Sequence, residues 1–145
     1  MAQKIALAPP PLTSPRMYTG RPMAQETILI VDDEVNVTEL FSMMLEMEGY
    51  QVQVVHNVKA ALGVLERGKP DLMLVDVMMP AASGLVLCRH VRSTAGLASL
   101  PIIILSAKSR LEEVQEGLRA GANLYLLKPV SKNELVQAVR KILSG

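Results

Sequence analysis

The sequence of 145 residues contains no tryptophan, one phenylalanine and one cysteine. With so few aromatic residues, a hydrophobic core has to be built mainly from aliphatic side chains. A single cysteine, Cys88, excludes an intrachain disulfide and fits a reducing compartment, and we expect it to be a small buried residue. No apolar run reaches the length of a membrane span or of a signal-peptide core. We therefore expect a cytoplasmic protein with no membrane partner.

The chain also lacks a strong excess of one charge, with 15 basic and 14 acidic residues. The three basic residues Lys4, Arg16 and Arg21 precede the first acidic residue, so the remainder of the chain is slightly acidic. Such a balance does not provide the basic surface of a nucleic-acid-binding protein. We expect no nucleic-acid partner.

The first 24 residues differ in composition from the rest. They contain five prolines with serine, threonine and glycine between them, a composition that cannot build a packed element. We predict a Pro-rich, disordered N-terminal extension over residues 1–24 and one domain over residues 25–145. The length of the chain suits a single domain.

From Thr27 onward, apolar strand patterns alternate with helical periodicities. Strands that are apolar throughout predict a parallel sheet covered by helices on both faces. Five such units predict an α/β fold of the flavodoxin-like, doubly wound type with five helices and strand order 2-1-3-4-5. The predicted strands are Ile28–Val31, Gln51–Val55, Leu72–Val75, Ile102–Leu105 and Leu124–Leu127. The predicted helices are 35–48, one between Asn57 and Gly68, 84–93, 111–120, and one opened by a capping box at Ser131.

Charged residues follow three of these strands directly. Asp32 and Asp33 follow the first, Asp76 follows the third, and Lys128 follows the fifth. Because the carboxyl ends of parallel strands share one edge of the sheet, we expect these groups to meet there. Clustered carboxylates repel one another, and a hard divalent cation such as Mg²⁺ relieves that repulsion. Ser106, just past the fourth strand, adds a hydroxyl group.

Together, a carboxylate, Mg²⁺, a lysine and a hydroxyl suit phosphoryl transfer to an aspartate. Each residue alone has a simpler explanation. A strand-end aspartate is commonly a turn former or helix cap, a lysine before proline is commonly a solvated loop charge, and Ser106 could cap the fourth helix. The combined pattern, with each polar group at the end of a different strand, favours the functional interpretation.

At these motifs the sequence resembles the CheY-like receiver domain of bacterial two-component response regulators. The resemblance covers about residues 26–143 and implies a stand-alone receiver domain with no output domain, in a phosphorelay. Whether the chain is a fragment of a longer protein stays open. The matching segments are Ile28–Glu34, Asp76–Gly84, Pro101–Ala107, Gly117–Ala122 and Tyr125–Pro129.

The resemblance also implies roles for the clustered acids. Asp76 would accept a phosphoryl group from a phosphohistidine of a sensor histidine kinase or a phosphotransfer protein. Asp33 and Asp76 would bind Mg²⁺ directly, with Asp32 assisting through water. The backbone carbonyl of Met78 would complete the protein ligands of the metal.

Further roles concern the response to phosphorylation. Lys128 would pair with a phosphoryl oxygen, and the Lys128–Pro129 peptide bond would be cis. Ser106 would bond the phosphoryl group, and Tyr125 would be the switch aromatic that turns inward. The changed surface would be helix four, strand five and helix five, facing an unknown downstream protein. A monomer and a phosphorylation-dependent dimer through the helix four to helix five face both stay open.

Two other hypotheses compete with this one. An Asp-nucleophile phosphatase of the haloacid-dehalogenase type would need Asp-x-Asp or Asp-x-Thr after the first strand, whereas Asp32 and Asp33 are adjacent. A degenerate receiver acting as an interaction module would not need the acceptor Asp76. The receiver hypothesis predicts no enzyme in the usual sense, and Met78, which cannot orient a water, predicts slow self-dephosphorylation. We expect His56 and His90 to be ordinary histidines outside the chemistry.

Overall fold

A computed structural model of the protein describes residues 25–145, so the predicted extension over residues 1–24 lies outside the described residues. Five strands alternate with five helices, as predicted. None of the described helices is both long and apolar enough to span a membrane. The elements are β1 Thr27–Val31, α1 Val35–Glu46, β2 Gln51–Val55, α2 Val58–Arg67, β3 Leu72–Val75, α3 Gly84–Arg92, β4 Ile102–Ser106, α4 Leu111–Arg119, β5 Leu124–Leu127 and α5 Lys132–Ser144.

The five strands form one parallel sheet in the order β2-β1-β3-β4-β5, which confirms the predicted fold class. The register places Val31 of β1 beside Val55 of β2 and Val75 of β3. The residues that follow these three strands therefore meet at the carboxyl edge of the sheet. This edge carries the candidate site.

The sheet separates two aliphatic cores because successive residues of a strand point to opposite faces. On one face, Leu29 and Val31 pack with α2 and α3, and on the other, Ile28 and Ile30 pack with α1 and α5. Cys88 lies within the first core, and burial raises the pKa of its thiol to about 11. A thiol of that pKa stays protonated at neutral pH, so Cys88 is a packing residue as expected.

Some element boundaries differ from the prediction. Helix α1 ends at Glu46 rather than Glu48, because the chain tightens into bonds between residues three apart before Gly49, whose φ is +97°. The strand β4 extends through Ser106, which pairs with Leu127 of β5. Ser106 is therefore the last residue of a buried strand and not a loop residue. Helices α3 and α4 each end one residue earlier than predicted.

Candidate functional site

Three aspartates meet at the carboxyl edge of the sheet. Carboxylate oxygens of Asp32, Asp33 and Asp76 lie within 4.8 Å of one another. Asp32 and Asp76 are buried, and Asp33 is more exposed. The structure thus brings together the three acids that the strand pattern predicts to meet.

Asp32 is held through both its main chain and its side chain. Its N–H donates to the carbonyl of Val55 over 3.2 Å. Its Oδ1 accepts from the N–H of Glu34 at 3.0 Å, and its Oδ2 accepts from Lys128 Nζ at 2.7 Å. The carbonyl of Asp32 lies 2.9 Å from Nδ1 of His56. These four contacts fix the position of Asp32 without any contribution from a bound ion.

Asp76 is fixed by the turn that follows β3. Its N–H donates to the carbonyl of Val31, and its Oδ1 accepts from the N–H of Met78 at 3.3 Å. Helix α3 then begins directly against it, since a Cβ on Gly84 would lie 2.1 Å from the Asp76 carbonyl oxygen. Only glycine allows this approach, which explains the glycine of the Asp76–Gly84 motif.

The environment of Asp76 raises the pKa of its carboxyl group. Burial is the main cause, and the charge of Asp32 adds to it. The ammonium of Lys128 and the hydrogen bond from Met78 act in the opposite direction without cancelling the rise. The ionised carboxylate of Asp76 is therefore less stable than a carboxylate in water. A bound cation, or a reaction that uses the carboxylate as a nucleophile, would offset its negative charge.

Lys128 provides the positive charge of the site. Its Nζ lies 2.7 Å from Asp32, 3.6 Å from Asp76 and 3.6 Å from Glu34, in each case to a carboxylate oxygen. Burial lowers the pKa of Lys128, but the hydrogen bond to Asp32 and the carboxylate charges outweigh burial and raise it above its ordinary value. The Lys128–Pro129 bond is cis, as the resemblance implies.

Ser106 and Tyr125 are connected through one residue of the loop between β4 and α4. The N–H of Lys108 donates to Ser106 Oγ at 3.1 Å, and the Tyr125 hydroxyl donates to the Lys108 carbonyl at 2.9 Å. Ser106 does not cap α4, because the cap residue of that helix is Arg110. The Lys108 peptide groups therefore link the hydroxyl at the site to the aromatic residue on β5.

The ring of Tyr125 packs between the sheet and α4. A Cβ on Gly117 of α4 would lie 2.8 Å from Cδ2 of that ring and 3.0 Å from Ile104 Cδ1. The missing side chain of Gly117 thus leaves the space that the ring occupies. A displacement of either Tyr125 or α4 would be transmitted to the other, since closely packed groups cannot move independently.

Two contacts were missed by the reasoning from sequence. His56, expected to be an ordinary histidine, contacts the main chain of Asp32, and Glu34 reaches Lys128. The register offers a signal for the first of these. Because Val55 of β2 pairs with Val31 of β1, the residue after β2 necessarily lies beside the residue after β1.

The donor set fits Mg²⁺, which prefers oxygen ligands and retains several waters. Within residues 25–145, the carboxylate of Asp33 has no hydrogen bond or ion pair, so it is free to bind a cation. The carbonyl of Met78 likewise accepts no hydrogen bond from the described part of the chain. In the part of the chain that the structure describes, no thiolate or imidazole joins the cluster of acids, which argues against a softer metal.

Comparisons with known proteins agree with this geometry. The family model of the response regulator receiver domain matches residues 28–140. The phosphate regulon transcriptional regulatory protein PhoB of Pseudomonas aeruginosa is 40% identical over 121 residues, which are 83% of this chain and 53% of that protein. This chain thus spans about half the length of that relative.

Two further comparisons cover nearly the whole of the matched protein. An uncharacterized 14.6 kDa protein of Leptolyngbya boryana is 44% identical over 119 residues, 82% of this chain and 91% of that protein. The structure of the chemotaxis response regulator CheY4 of Vibrio cholerae superimposes with a TM-score of 0.79 at 28% identity. That match covers 83% of this chain and all of the other.

Proposed function

The chain belongs to the response regulator receiver domain family, and we propose that it accepts a phosphoryl group on Asp76 from a phosphohistidine of a sensor histidine kinase or of a phosphotransfer protein in the cytoplasm. The observation that carries this proposal is the position of Asp76. Its carboxylate is buried, its pKa is raised, and it lies within 4.8 Å of two further carboxylates and 3.6 Å from the ammonium of Lys128. Such a carboxylate is a suitable acceptor once its charge is balanced.

In this proposal Mg²⁺ is held by Asp33, Asp76 and the Met78 carbonyl, with Asp32 assisting through water. When bound, the ion neutralises charge on the phosphoryl oxygens. The free carboxylate of Asp33 and the free carbonyl of Met78 support this assignment. Asp32 is already engaged by Lys128 and Glu34, which supports an indirect role for it.

The transfer itself requires few protein groups. A carboxylate oxygen of Asp76 forms the new P–O bond as the P–N bond of the phosphohistidine breaks and its imidazole leaves. Lys128, 3.6 Å from Asp76 Oδ2, then pairs with a phosphoryl oxygen. The Ser106 hydroxyl donates to another, because it is a rotatable donor at the end of the neighbouring strand.

The response to phosphorylation follows the link from Ser106 to Tyr125. When Ser106 is drawn to the phosphoryl group, the Lys108 peptide moves with it, and the Tyr125 hydroxyl keeps its bond to the Lys108 carbonyl. The inward packing of Tyr125 then fixes the position of α4. We propose that α4, β5 and α5 form the surface that a downstream protein, or a second copy of the chain in a dimer, recognises.

Helix α1 supplies the surface that a phosphohistidine-bearing partner would contact. Its exposed side includes Leu40 and Met43, and Met47, the residue that follows the helix, continues the same spacing. The helix begins at Val35, two residues after Asp33, so its N-terminal end lies beside the site. Met43 and Met47 thus present exposed apolar side chains on this surface.

One experiment tests the assignment of Asp76. The protein is incubated with Mg²⁺ and acetyl phosphate, and the intact masses of the wild type, Asp76→Asn and Asp71→Asn are compared. Asp71 is a matched control, because it lies at the opposite edge of the sheet, where it binds Thr27. We expect one phosphate adduct on the wild type and on Asp71→Asn, and none on Asp76→Asn.

The same experiment separates the competing hypotheses. An adduct on Asp76→Asn would refute the assignment of the acceptor. Continuous turnover of a phosphate monoester would favour the phosphatase, although the family match argues against it. A wild type that takes no phosphate and shows no Mg²⁺ effect would favour an interaction module without phosphorylation.

A further inference from the structure

His56 makes a contact that restricts its chemical form. Its Nδ1 lies 2.9 Å from the carbonyl oxygen of Asp32. A carbonyl oxygen only accepts hydrogen bonds, so Nδ1 has to carry a proton and donate. In a neutral ring this leaves Nε2 as the unprotonated nitrogen.

The contact extends the pairing of β1 with β2 beyond the last residues of these strands. The Asp32 N–H donates to the carbonyl of Val55, and the side chain of His56, the residue after β2, donates to the Asp32 carbonyl. The peptide groups on both sides of the Asp32 Cα are thus held by Val55, the last residue of β2, and by His56, which follows it. Within residues 25–145, β2 is an edge strand, so no described strand pairs with it on the side away from β1.

The carbonyl of Asp32 and the N–H of Asp33 belong to one planar peptide group. A bond that fixes this carbonyl also fixes the direction in which the chain leaves toward the Cα of Asp33. Over residues 25–145 the Asp33 carboxylate has no hydrogen bond or ion pair of its own. The direction of the Asp33 carboxylate therefore depends strongly on the peptide plane that precedes it. The Asp32 carboxylate depends on its own peptide plane less, because Lys128 and Glu34 hold it through hydrogen bonds to the side chain.

We propose that His56 is a positioning residue for the Mg²⁺ site. Its Nδ1–H orients the Asp32–Asp33 peptide and, through it, the Asp33 carboxylate that binds the ion. This inference rests on the proposed function, because it assumes that the acidic cluster binds Mg²⁺. His56 itself touches neither the ion nor the phosphoryl group in this arrangement.

The test compares two substitutions of His56. Asparagine carries an N–H two bonds from its Cβ, as histidine does at Nδ1, so His56→Asn keeps the donor, whereas His56→Leu removes it. The exposed His90 of α3 provides the control His90→Leu. Mg²⁺ binding is measured by isothermal titration calorimetry on the full chain. The Mg²⁺ concentration that gives half of the maximal phosphorylation rate with acetyl phosphate is a second readout.

We expect His56→Leu to bind Mg²⁺ about tenfold more weakly than the wild type, the size of effect seen for groups that orient metal ligands. His56→Asn and His90→Leu should stay within about twofold of the wild type. An unchanged affinity in His56→Leu would overturn the role of His56, and so would an equal loss in His56→Asn. A wild type that binds no Mg²⁺ would instead refute the proposed function on which this role rests.

A measurement on the wild type alone guards against variants that fail to fold. In an alkaline buffer, where a histidine ring is neutral, the ¹⁵N chemical shifts of the ring nitrogens report which one carries the proton. We expect the Nδ1–H form for His56, against the Nε2–H form for the exposed His90. An Nε2–H form at His56 would overturn the inference, because that ring could not donate to Asp32.

Discussion

Lys128 lies closer to Asp32 than to the proposed phosphoacceptor Asp76. Its Nζ is 2.7 Å from Asp32 Oδ2 and 3.6 Å from Asp76 Oδ2. In the unphosphorylated protein the ammonium therefore neutralises mainly a carboxylate that would assist the metal. Phosphorylation adds negative charge on the Asp76 side, so it should draw the lysine away from Asp32.

The first prediction is that Lys128→Met strengthens Mg²⁺ binding in the unphosphorylated protein. Loss of the ammonium removes a cation that competes for Asp32 and repels the ion, and we expect an affinity about tenfold higher, about 1.4 kcal/mol. Isothermal titration calorimetry measures it. Lys132→Met is the control, since Lys132 lies 3.8 Å from Glu48, outside the site. Equal or weaker binding in Lys128→Met would show that the lysine does not compete with the metal.

The second prediction concerns stability and pH at Asp76. A carboxyl group whose pKa is raised in the folded state destabilises the fold when ionised. This destabilisation begins as the pH rises above the ordinary value of 3.8 and is complete above the raised pKa of the folded protein. Asp76→Asn should therefore raise the Tm at neutral pH without Mg²⁺ by about 3 °C, and this gain should vanish in acid.

Circular dichroism melts at neutral and acidic pH test this second prediction. Asp71→Asn serves as the control, because Asp71 shows no comparable burial and should give no gain. Adding Mg²⁺ to the wild type should reduce the difference from Asp76→Asn, since the ion binds the ionised carboxylate only in the folded state. A Tm of Asp76→Asn at or below that of the wild type at neutral pH contradicts the prediction.

Lys128 gives the opposite dependence on pH. Its pKa is raised in the folded state, so its attraction to the carboxylates stabilises the fold fully below the ordinary lysine value of 10.5 and is lost as the pH rises through the raised value. Within the neutral range this contribution is constant. A change in stability between acid and neutral pH therefore does not come from deprotonation of Lys128.

The sequence predicts the edge of the sheet well, because three of the five apolar strands are followed directly by a charged residue. Asp32, Asp76 and Lys128 could be brought together from this pattern and the parallel arrangement alone. The sequence could not predict which aspartate pairs with Lys128. The distances from Lys128 Nζ to Asp32 and to Asp76 differ by less than one ångström. The contact of His56 with Asp32 required the strand register as well.

Arg92 illustrates contacts that no local pattern reveals. Its guanidinium donates to the carbonyls of Leu100 and Gly121 and to Asn123 Oδ1, which also accepts from the N–H of Ile102. These bonds join the end of α3 to the loops before β4 and β5. Helical periodicity predicts only that such an arginine lies on the surface of its helix. It cannot predict these hydrogen bonds, because the acceptors belong to loops outside the helix.

The third prediction concerns the packing of Tyr125 against α4. Gly117→Ala would place a Cβ 2.8 Å from the Tyr125 ring, so we expect a loss of about 1–3 kcal/mol in the free energy of unfolding. The control Gly63→Ala in α2 has its nearest atom, Arg67 Nη1, at 4.0 Å and should stabilise by about 0.5–1 kcal/mol. Urea unfolding measures both.

A double variant identifies the ring as the cause. If the Tyr125 ring is the obstacle, Gly117→Ala should cost less in a Tyr125→Ala background, because the added methyl group then enters vacant space. The remaining contact with Ile104 Cδ1, at 3.0 Å, sets the residual cost. An equal cost in both backgrounds would place the strain elsewhere, and α4 would not be coupled to Tyr125 in the proposed way.

The fourth prediction is that Met78→Asn shortens the lifetime of the phosphorylated protein. The Met78 side chain is 55% exposed beside Asp76, and its thioether cannot orient an attacking water as an amide can. We expect the phosphate adduct to decay about tenfold faster in Met78→Asn, followed by intact mass after removal of the donor. Met47→Asn makes the same exchange at an exposed position just after α1 and should leave the decay unchanged. An equal lifetime in Met78→Asn and the wild type would mean that water access at this position does not limit dephosphorylation.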